Sequence, residues 1–209
     1  MNPGQTAERV YDGLKERLLS GAIVPGERLE PARFAEDLAS SVTPVRDALH
    51  RLAGERLVEL RTSDGFHLPL VTEADLRDLY GWNAEVVGLA VHSWPRAATA
   101  PRADTLAADA PRALAMLLEA AGQRSANGEH VLQIAGCSDR LAAARVAESR
   151  VLDGVEAEIR AMALAFDNGT PADFLKLVRA CNRRRATAVP AIVRAIYHPA
   201  VNNRSISDL

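Results

Sequence analysis

The chain has few cysteines, few aromatic residues and no long apolar run. Of its 209 residues only two are cysteines and 4% are aromatic. Cys137 and Cys181 stand far apart and form no CxxC pair, which excludes a disulfide framework and favours a reducing compartment. No run approaches the roughly 20 apolar residues of a membrane span, and the N-terminus lacks the basic and apolar segments of a signal peptide. We therefore expect a cytoplasmic protein without membrane contact.

A basic excess is also missing. The net charge of the whole chain is −2, and residues 1–71 hold nine Lys and Arg against eleven Asp and Glu, again −2. Nucleic-acid-binding domains commonly present a basic face. Any contact with DNA must therefore depend on where individual arginines lie.

Catalytic motifs are absent as well. Ser, His and Asp residues occur, but the sequence contains no nucleophile elbow and no HExxH-like spacing. Catalysis needs a nucleophile with its base, or paired carboxylates, in one pocket. We expect no enzyme activity and no cofactor.

Hydrophobic periodicity predicts three helices and a hairpin in the first 71 residues. Apolar spacing and turn signals place helices at about 6–20 and 31–39, with a third from residue 43 onward. The β-prone runs LVELRT and FHLPLV are joined by Ser63-Asp64-Gly65, a strong hairpin signal. Three helices followed by a hairpin form the outline of a winged helix-turn-helix.

The third helix opens with Thr-Pro-Val-Arg. We expect Thr43 to cap this helix and Pro44 to occupy its first position, because proline has a fixed φ and no N–H. An apolar stripe should face the core, consisting of Val45, Ala48, Leu49 and Leu52. Arg46 and His50 are then left on other faces.

After residue 71 only helices are predicted, at about 72–94, 104–122, 128–149, 150–167, 171–187 and 189–197, and residues 198–209 read as irregular. The predicted fold class is mainly α. An N-terminal winged helix-turn-helix (three helices plus a β-hairpin) spans 1–71, and an all-α helical bundle domain follows over 72–209.

A helix-turn-helix places its second helix in the major groove. Arg46, early in that helix, could form a bidentate bond to guanine, and Arg33 in the preceding helix could hold a phosphate or a base. His50 could touch a phosphate or be an ordinary exposed histidine. At the wing tip a glycine permits close backbone approach, although Asp64 has the wrong charge sign. The candidate DNA-binding residues are Arg33, Ser41, Thr43, Pro44, Arg46, His50 and Gly65.

The stretch PGERLEPARFAEDLASSVTPVRDALHRLAGERLVELRTSDGFHLPLV resembles the winged-helix domain of the GntR family of bacterial transcription regulators. That family's pattern is met by Pro25, Gly26, Leu29, Arg33, Ala35, Leu38, Thr43, Pro44, Val45, Arg46, Ala48, Leu49, Leu52, Leu57 and Gly65. The helical remainder is similar to the FCD (FadR C-terminal domain) subfamily through DLYGWNAEVVGLA and IAGCSDRL. The resemblance implies a homodimeric regulator, such as a repressor, that binds operator sites in double-stranded DNA. It also implies a small-molecule effector in the helical domain, with an organic acid as one candidate.

The chain departs from the family at several positions. Val42 stands where the family usually has an arginine, and Ala39-Ser40-Ser41 replaces Gly-Val-Ser in the turn. Many FCD domains bind a divalent metal through an Asp, a His four residues later and two further histidines. Here no such Asp/His pair occurs, the last ligand position falls near Cys181, and a single His130 does not make a site. We expect no metal.

Two arginine groups have simpler interpretations than ligand binding. Arg183, Arg184 and Arg185 form a run that is typical of a solvated helix face. The second group consists of Arg140, Arg145 and Arg150. It could include a clamp for an effector's carboxylate, but residues at these spacings do not lie on one helix face.

One alternative function stays open. The chain could be a helical ligand-binding or scaffold dimer whose winged helix mediates protein contacts, because a fold does not fix a function. Sequence-specific duplex binding with a steep salt dependence would separate the two.

Overall fold

The computed structural model describes residues 3–95 and 109–198. Its N-terminal part alternates short helices with a small sheet. The elements are α1 (Pro3–Leu19), β1 (Arg28–Leu29), α2 (Pro31–Asp37), α3 (Val42–Gly54), β2 (Glu59–Arg61) and β3 (Gly65–His67). The predicted three helices and hairpin are confirmed, and the bounds of α1 and α2 lie within three residues of those expected.

The sheet contains a strand that the sequence did not reveal. β3 lies in the centre, between β2 and the two-residue β1, and both pairings are antiparallel. In the hairpin Leu60 opposes Phe66, and on the other side Leu29 opposes the same Phe66. A two-residue strand carries no alternating pattern of its own, so only pairing in the fold defines it.

The core of this part is closed by the inner face of α3. Val45, Leu49 and Leu52 are fully buried, and they pack with Leu14 of α1 and Phe66 of β3. The predicted inward stripe of the third helix is therefore confirmed. Its burial fixes which side of α3 faces solvent.

The start of α3 differs from the expectation. Ser41 is the N-cap and Val42 the first helical residue, so Thr43 is not the cap and Pro44 occupies the third helical position. The proline is tolerated there because the first N–H groups of a helix have no intrahelical acceptor. Thr43 is thereby released from capping, and its side chain is exposed.

The turn between α2 and α3 holds a strained residue. Ala39 has a φ of 46°, in the left-handed region that favours glycine. Arg9 of α1 stabilises this turn by donating from Nη1 to the Leu38 carbonyl oxygen at 2.9 Å. The turn that brings α3 against α2 therefore depends on an alanine in a conformation unfavourable for it.

The remaining described elements are helices: α4 (Glu73–His92), α5 (Ala110–Gln123), α6 (Gly128–Arg140), α7 (Ala142–Val151), α8 (Val155–Asn168) and α9 (Pro171–Tyr197). Thr72 caps α4 as expected, accepting from the Asp75 amide. The predicted first turn of a helix at 104–122 and the irregular tail from residue 199 lie outside the described residues. Within residues 3–95 and 109–198, no helix is both long and apolar enough to cross a membrane.

Two predicted helix boundaries are wrong. The single helix expected at 128–149 is interrupted at Leu141, which ends α6 and begins α7 while its side chain is buried in the core. Conversely, the two helices expected at 171–187 and 189–197 are one, since α9 continues through Pro190. Pro190 has no N–H, so the Ala186 carbonyl loses its donor within the helix; Pro190 itself is exposed and Ala186 is half-buried.

A buried ion pair lies at the centre of the helical part. Glu148 of α7 and Arg185 of α9 are each 1% exposed. Arg185 Nε donates to Glu148 Oε2 at 2.6 Å, Tyr80 of α4 donates its hydroxyl to the other oxygen at 2.6 Å, and Arg185 Nη1 donates to Glu158 of α8 at 2.7 Å. Burial and the adjacent Glu148 carboxylate raise the pKa of Tyr80 well above its ordinary value, so the phenol stays protonated and donates. The expected solvated face at 183–185 is therefore wrong for Arg185.

The two parts of the chain are joined by an ion pair and a hydrogen-bonded tyrosine. Lys15 of α1 bridges Glu55 at 3.1 Å and Asp139 of α6 at 2.7 Å. Burial opposes the charge on Lys15, but these carboxylates outweigh it and raise the pKa of the amine. The Tyr197 hydroxyl of α9 accepts from the Val71 amide at 3.0 Å. The winged helix is thus fastened to the bundle through α1 and through residue 71.

Replacing Ala39 by glycine should stabilise the protein. The left-handed conformation costs a residue with a Cβ about 1–2 kcal/mol, partly offset by the greater freedom of glycine in the unfolded chain. We expect Ala39→Gly to raise the free energy of unfolding by roughly 0.5–1 kcal/mol, measured by urea denaturation. Ala7→Gly, at an exposed position inside α1, is the matched control and should lower it by about 0.5–1 kcal/mol. Equal losses in both variants would contradict the strain at Ala39.

Neutralising Glu148 should destabilise the bundle. Glu148→Gln keeps the shape of the side chain but leaves the buried Arg185 without its short charged partner, and breaking a buried pair in this way costs about 3–5 kcal/mol. Glu156→Gln, on the exposed face of α8, should cost less than about 1 kcal/mol. Thermal or urea unfolding of both variants measures the difference, and similar small losses would show that the pair contributes nothing.

Candidate nucleic-acid interface

The outward face of α3 carries three of the candidate residues. Thr43, Arg46 and His50 are exposed and follow one another at spacings of three and four residues, so they share one side of the helix. The buried stripe around Val45 lies on the opposite side. The core therefore orients this face toward solvent.

The N-terminus of α3 has free backbone donors. Ser41 caps the helix by backbone geometry alone, because its side chain makes no capping hydrogen bond. The amides of Val42 and Thr43 belong to the first turn, whose N–H groups have no intrahelical acceptor. Such a helix end attracts a phosphate group through these donors and the helix dipole.

Ion pairing separates the arginines of the winged helix into two sets. Arg17, Arg28, Arg51 and Arg61 pair with carboxylates of the same domain, and Lys15 does so as well. Arg51 also lies over the Tyr11 ring at 3.7 Å. Within the part of the chain that the structure describes, neither Arg33 of α2 nor Arg46 of α3 has a hydrogen-bond or ion-pair partner for its side chain. These two exposed cations remain available to an external anion.

The wing tip needs glycine for its backbone. Gly65 has a φ of +81° and Ser63 a φ of 65°, while a Cβ on Gly65 would meet nothing closer than Arg28 Nε at 4.0 Å. The reason for glycine is thus conformation and not crowding. The Asp64 carboxylate at the tip lies 3.1 Å from His67 Nε2 and 3.9 Å from Arg28 Nη1, and the Arg28 cation partly offsets its unfavourable sign.

His50 has a partner inside the protein. Its ring contacts the Phe66 ring edge-on, with centroids 4.9 Å apart. The contact fixes the orientation of the imidazole and ties α3 to the central strand of the wing. His50 stays exposed beside Arg46, so it can still present a ring nitrogen outward.

Two residues of this surface were missed from the sequence. Arg28 is exposed on β1, next to the wing tip, because β1 pairs with β3; the short strand carried no signal of its own. Asp47 is exposed on α3 immediately after Arg46. Its alternation with the buried Val45 and Ala48 could have identified it as an acidic member of the outward face.

The metal that the FCD resemblance raises does not fit the residues present. No group of three or more His, Cys, Asp or Glu side chains among residues 3–95 and 109–198 is arranged to hold a metal ion. Burial raises the pKa of the Cys181 thiol to about 12, and its Sγ lies 2.9 Å from Arg185 Nη1, a cation. His130 bonds through Nδ1 to the Ser125 hydroxyl at 2.8 Å.

Sequence comparison matches residues 6–68 to the family of bacterial regulatory proteins named gntR. The HTH-type transcriptional regulator McbR of Escherichia coli K12 is 35% identical over 89 residues, which cover 41% of this chain and 40% of McbR. The HTH-type transcriptional repressor GlaR of the same organism is 30% identical over 81 residues, covering 39% of this chain and 37% of GlaR. The matches thus span about two fifths of the length of these relatives.

Structural comparison extends the likeness of fold to nearly the whole chain. A GntR transcriptional regulator from Rhodococcus sp. RHA1 superposes with a TM-score of 0.72 at 17% identity, covering 88% of this chain and 97% of that one. E. coli McbR/YncC gives a TM-score of 0.64 at 22% identity, with coverages of 92% and 98%. At such identities only the fold is shared, and it comprises the winged helix together with the helical domain. The winged-helix part of the chain is thus similar to the gntR family of bacterial regulatory proteins.

Proposed function

We propose that this protein is a sequence-specific, DNA-binding transcription regulator. The observation that carries the proposal is the combination of two unpaired arginines, Arg33 and Arg46, with the N-terminus of α3, where Ser41 makes no side-chain capping hydrogen bond. In a helix-turn-helix these groups meet bases and phosphates of the major groove. Ser41, Thr43, Pro44 and His50 line the same helix end or face, and Gly65 with Arg28 would lie against the adjacent minor groove.

The acidic balance of the winged helix does not oppose this function. Four of its eight arginines, together with Lys15, are already bound to carboxylates, and the cations that remain unpaired include Arg33 on α2 and Arg46 on α3. Affinity for DNA depends on local cations that can reach phosphates, because each such contact releases counterions.

We propose that the two parts of the chain have different roles. We assign residues 1–71 to DNA binding and residues 72–209 to dimerisation and to binding a small-molecule effector that modulates operator affinity. Repression is the mode that the relative GlaR suggests by its name. The proposed partners are therefore double-stranded operator DNA, a second copy of the chain and the effector.

Dimerisation is supported by an apolar stripe on α4. Trp82 is 48% exposed and Leu89 is 54% exposed, and they lie two helical turns apart on one side. One recognition helix reads only a few base pairs, so a twofold dimer on a palindromic site doubles the contacts. We propose that this stripe packs against its copy.

Selection of bound fragments from random duplex DNA tests the proposal directly. We expect an enriched, palindromic motif and an affinity that falls steeply with salt, by about 0.9 units of log–log slope for each phosphate contact. No enriched sequence together with salt-insensitive binding would instead favour the alternative, a scaffold or ligand-binding dimer whose winged helix contacts protein.

Arg46→Ala should weaken binding to the selected operator by roughly 1–3 kcal/mol. The side chain is exposed and unpaired, so stability should change by about 0.5 kcal/mol or less. Arg33→Ala should also weaken binding, and it should reduce the salt slope if its partner is a phosphate. Fluorescence anisotropy against salt concentration measures both effects.

Arg56→Ala is the matched control for Arg46→Ala. Arg56 is an exposed arginine of the same domain, but it lies in the cleft against the helical domain, with Leu70 and Asp139. Its removal changes the domain charge equally without touching α3. Equal losses of affinity in the two variants would mean that Arg46 acts only through net charge.

Charging the α4 stripe should produce monomers. In Trp82→Arg/Leu89→Arg two like charges would meet across the twofold axis in place of apolar area. We expect light scattering to report half the mass of the parent protein, with weaker operator binding. Leu164→Arg, on the exposed side of α8, should leave the mass unchanged. A parent protein that is already a monomer on DNA would contradict the proposal.

A further inference from the structure

A large cleft lies between the winged helix and the helical domain. It has a volume of about 660 Å³ and is bounded by α1, α5, α6 and α7. Ligand sites in proteins are commonly of 300–1,000 Å³ and occur preferentially where two domains meet. The polar groups that matter most in it are Lys15, Glu119, Ser138, Asp139 and Arg145.

Two buried groups of the cleft lack the partners that their chemistry requires. Arg145 is 3% exposed, and its Nη2 atom has no hydrogen-bond partner. Ser138 is 4% exposed, and its hydroxyl oxygen also has none. The nearby Glu148 carboxylate is bound to Tyr80 and Arg185 instead. A buried unpaired guanidinium is costly, and a carboxylate with a neighbouring hydroxyl donor satisfies it.

The cleft also has an excess of negative charge beside this cation. Glu119 is half-buried on α5, and burial together with the Asp139 carboxylate raises its pKa. Asp139 is held by Lys15 at 2.7 Å, whereas within the described residues no cation pairs with Glu119. An ammonium group placed between these two carboxylates would relieve their repulsion.

A second cavity next to Arg145, inside the helical bundle, is too small for an organic ligand. It has a volume of about 10 Å³ and is lined by Asn83, Arg145 and Arg185, each with an unpartnered buried atom. This volume suits a single water molecule with several polar partners. The larger cleft at the domain junction is therefore where a ligand can reach Arg145.

We propose that the junction cleft binds a small zwitterion, an α-amino acid with an apolar side chain. Its carboxylate pairs with Arg145 and accepts from the Ser138 hydroxyl, and its ammonium lies between Glu119 and Asp139. The apolar side chain packs against the aliphatic wall formed by Leu19, Ala142 and Val146. The proposal rests on the effector part of the proposed function and gives that effector a chemical class and a site.

Calorimetric titration of the full chain, without DNA, tests this site. The probes are L-alanine, L-valine, L-leucine, L-isoleucine and L-methionine. For leucine the matched analogues are isoamylamine, which lacks the carboxylate, and isocaproate, which lacks the amine. We expect at least one amino acid to bind saturably and each analogue of leucine to bind at least about tenfold more weakly than leucine. No saturable binding by any of the five, or equal binding by an analogue, overturns the proposal.

Variants assign the two charges separately. Glu119→Gln and Ser138→Ala alter groups without protein partners, so both should fold, and each should weaken binding of the amino acid by about tenfold or more. Arg145→Gln should abolish it. Glu156→Gln, on the far side of α8, should bind as the parent does. Unchanged affinity in Glu119→Gln overturns the assigned ammonium contact even if Arg145→Gln fails to fold. Operator binding is measured separately, so a negative result with the amino acids does not contradict the proposed DNA binding.

Discussion

The burial of one side of α3 is the constraint on which the interface depends. Val45, Leu49 and Leu52 have no exposed surface, and burying each such side chain contributes about 1.5–3 kcal/mol relative to leaving it in water. A rotation of the helix would expose them, so the side that carries Thr43, Arg46 and His50 has no alternative to facing outward. The candidate DNA-binding surface is therefore defined by what the core requires of the opposite side of α3.

Ion pairs within the winged helix determine which of its arginines are left unpaired. Its carboxylates are placed where they bind particular arginines: Asp37 holds Arg17, and Glu8 holds Arg51. These pairs fasten α1 to α2 and to α3, while the Arg9 contact with the Leu38 carbonyl steadies the strained turn at Ala39. The domain is therefore acidic in composition but leaves Arg33 and Arg46 unpaired.

The helical domain uses charge differently. At its centre Glu148 and Arg185 form a short buried pair that connects α7 with α9 and, through Tyr80, with α4. Arg145 lies beside this pair, and its Nη2 atom has no hydrogen-bond partner. The junction with α1 is held by Lys15 and Asp139, so a ligand at Arg145 would lie next to the contact that joins the two domains. The proposed effector site therefore lies next to the point where α6 contacts the winged helix.

Much of the winged helix could be predicted from the sequence because its signals are local. A 3,1,3 apolar stripe, a proline in the first turn and Asp-Gly between β-prone runs each specify structure within a few residues. The sequence therefore determined α3, its buried face, the hairpin and the glycine at the wing. It did not determine the cap of α3, where Ser41 replaces Thr43, nor the break at Leu141, nor the continuity of α9 through Pro190. Those outcomes depend on packing that overrides local preference.

Only the tertiary structure decided which charges are free. Nine basic residues in 1–71 look alike in sequence, and the pairs Lys15–Glu55, Arg17–Asp37 and Arg51–Glu8 join residues 20 to 43 positions apart. The arginine run at 183–185 likewise indicated a solvated face, yet Arg185 is buried because Glu148 and Glu158 come from other helices to meet it. Helix periodicity fixes the side of a helix on which a residue lies. Whether that side faces water, a carboxylate or a cleft depends on elements that are distant in the chain. A local sequence pattern does not predict which of these elements pack against it.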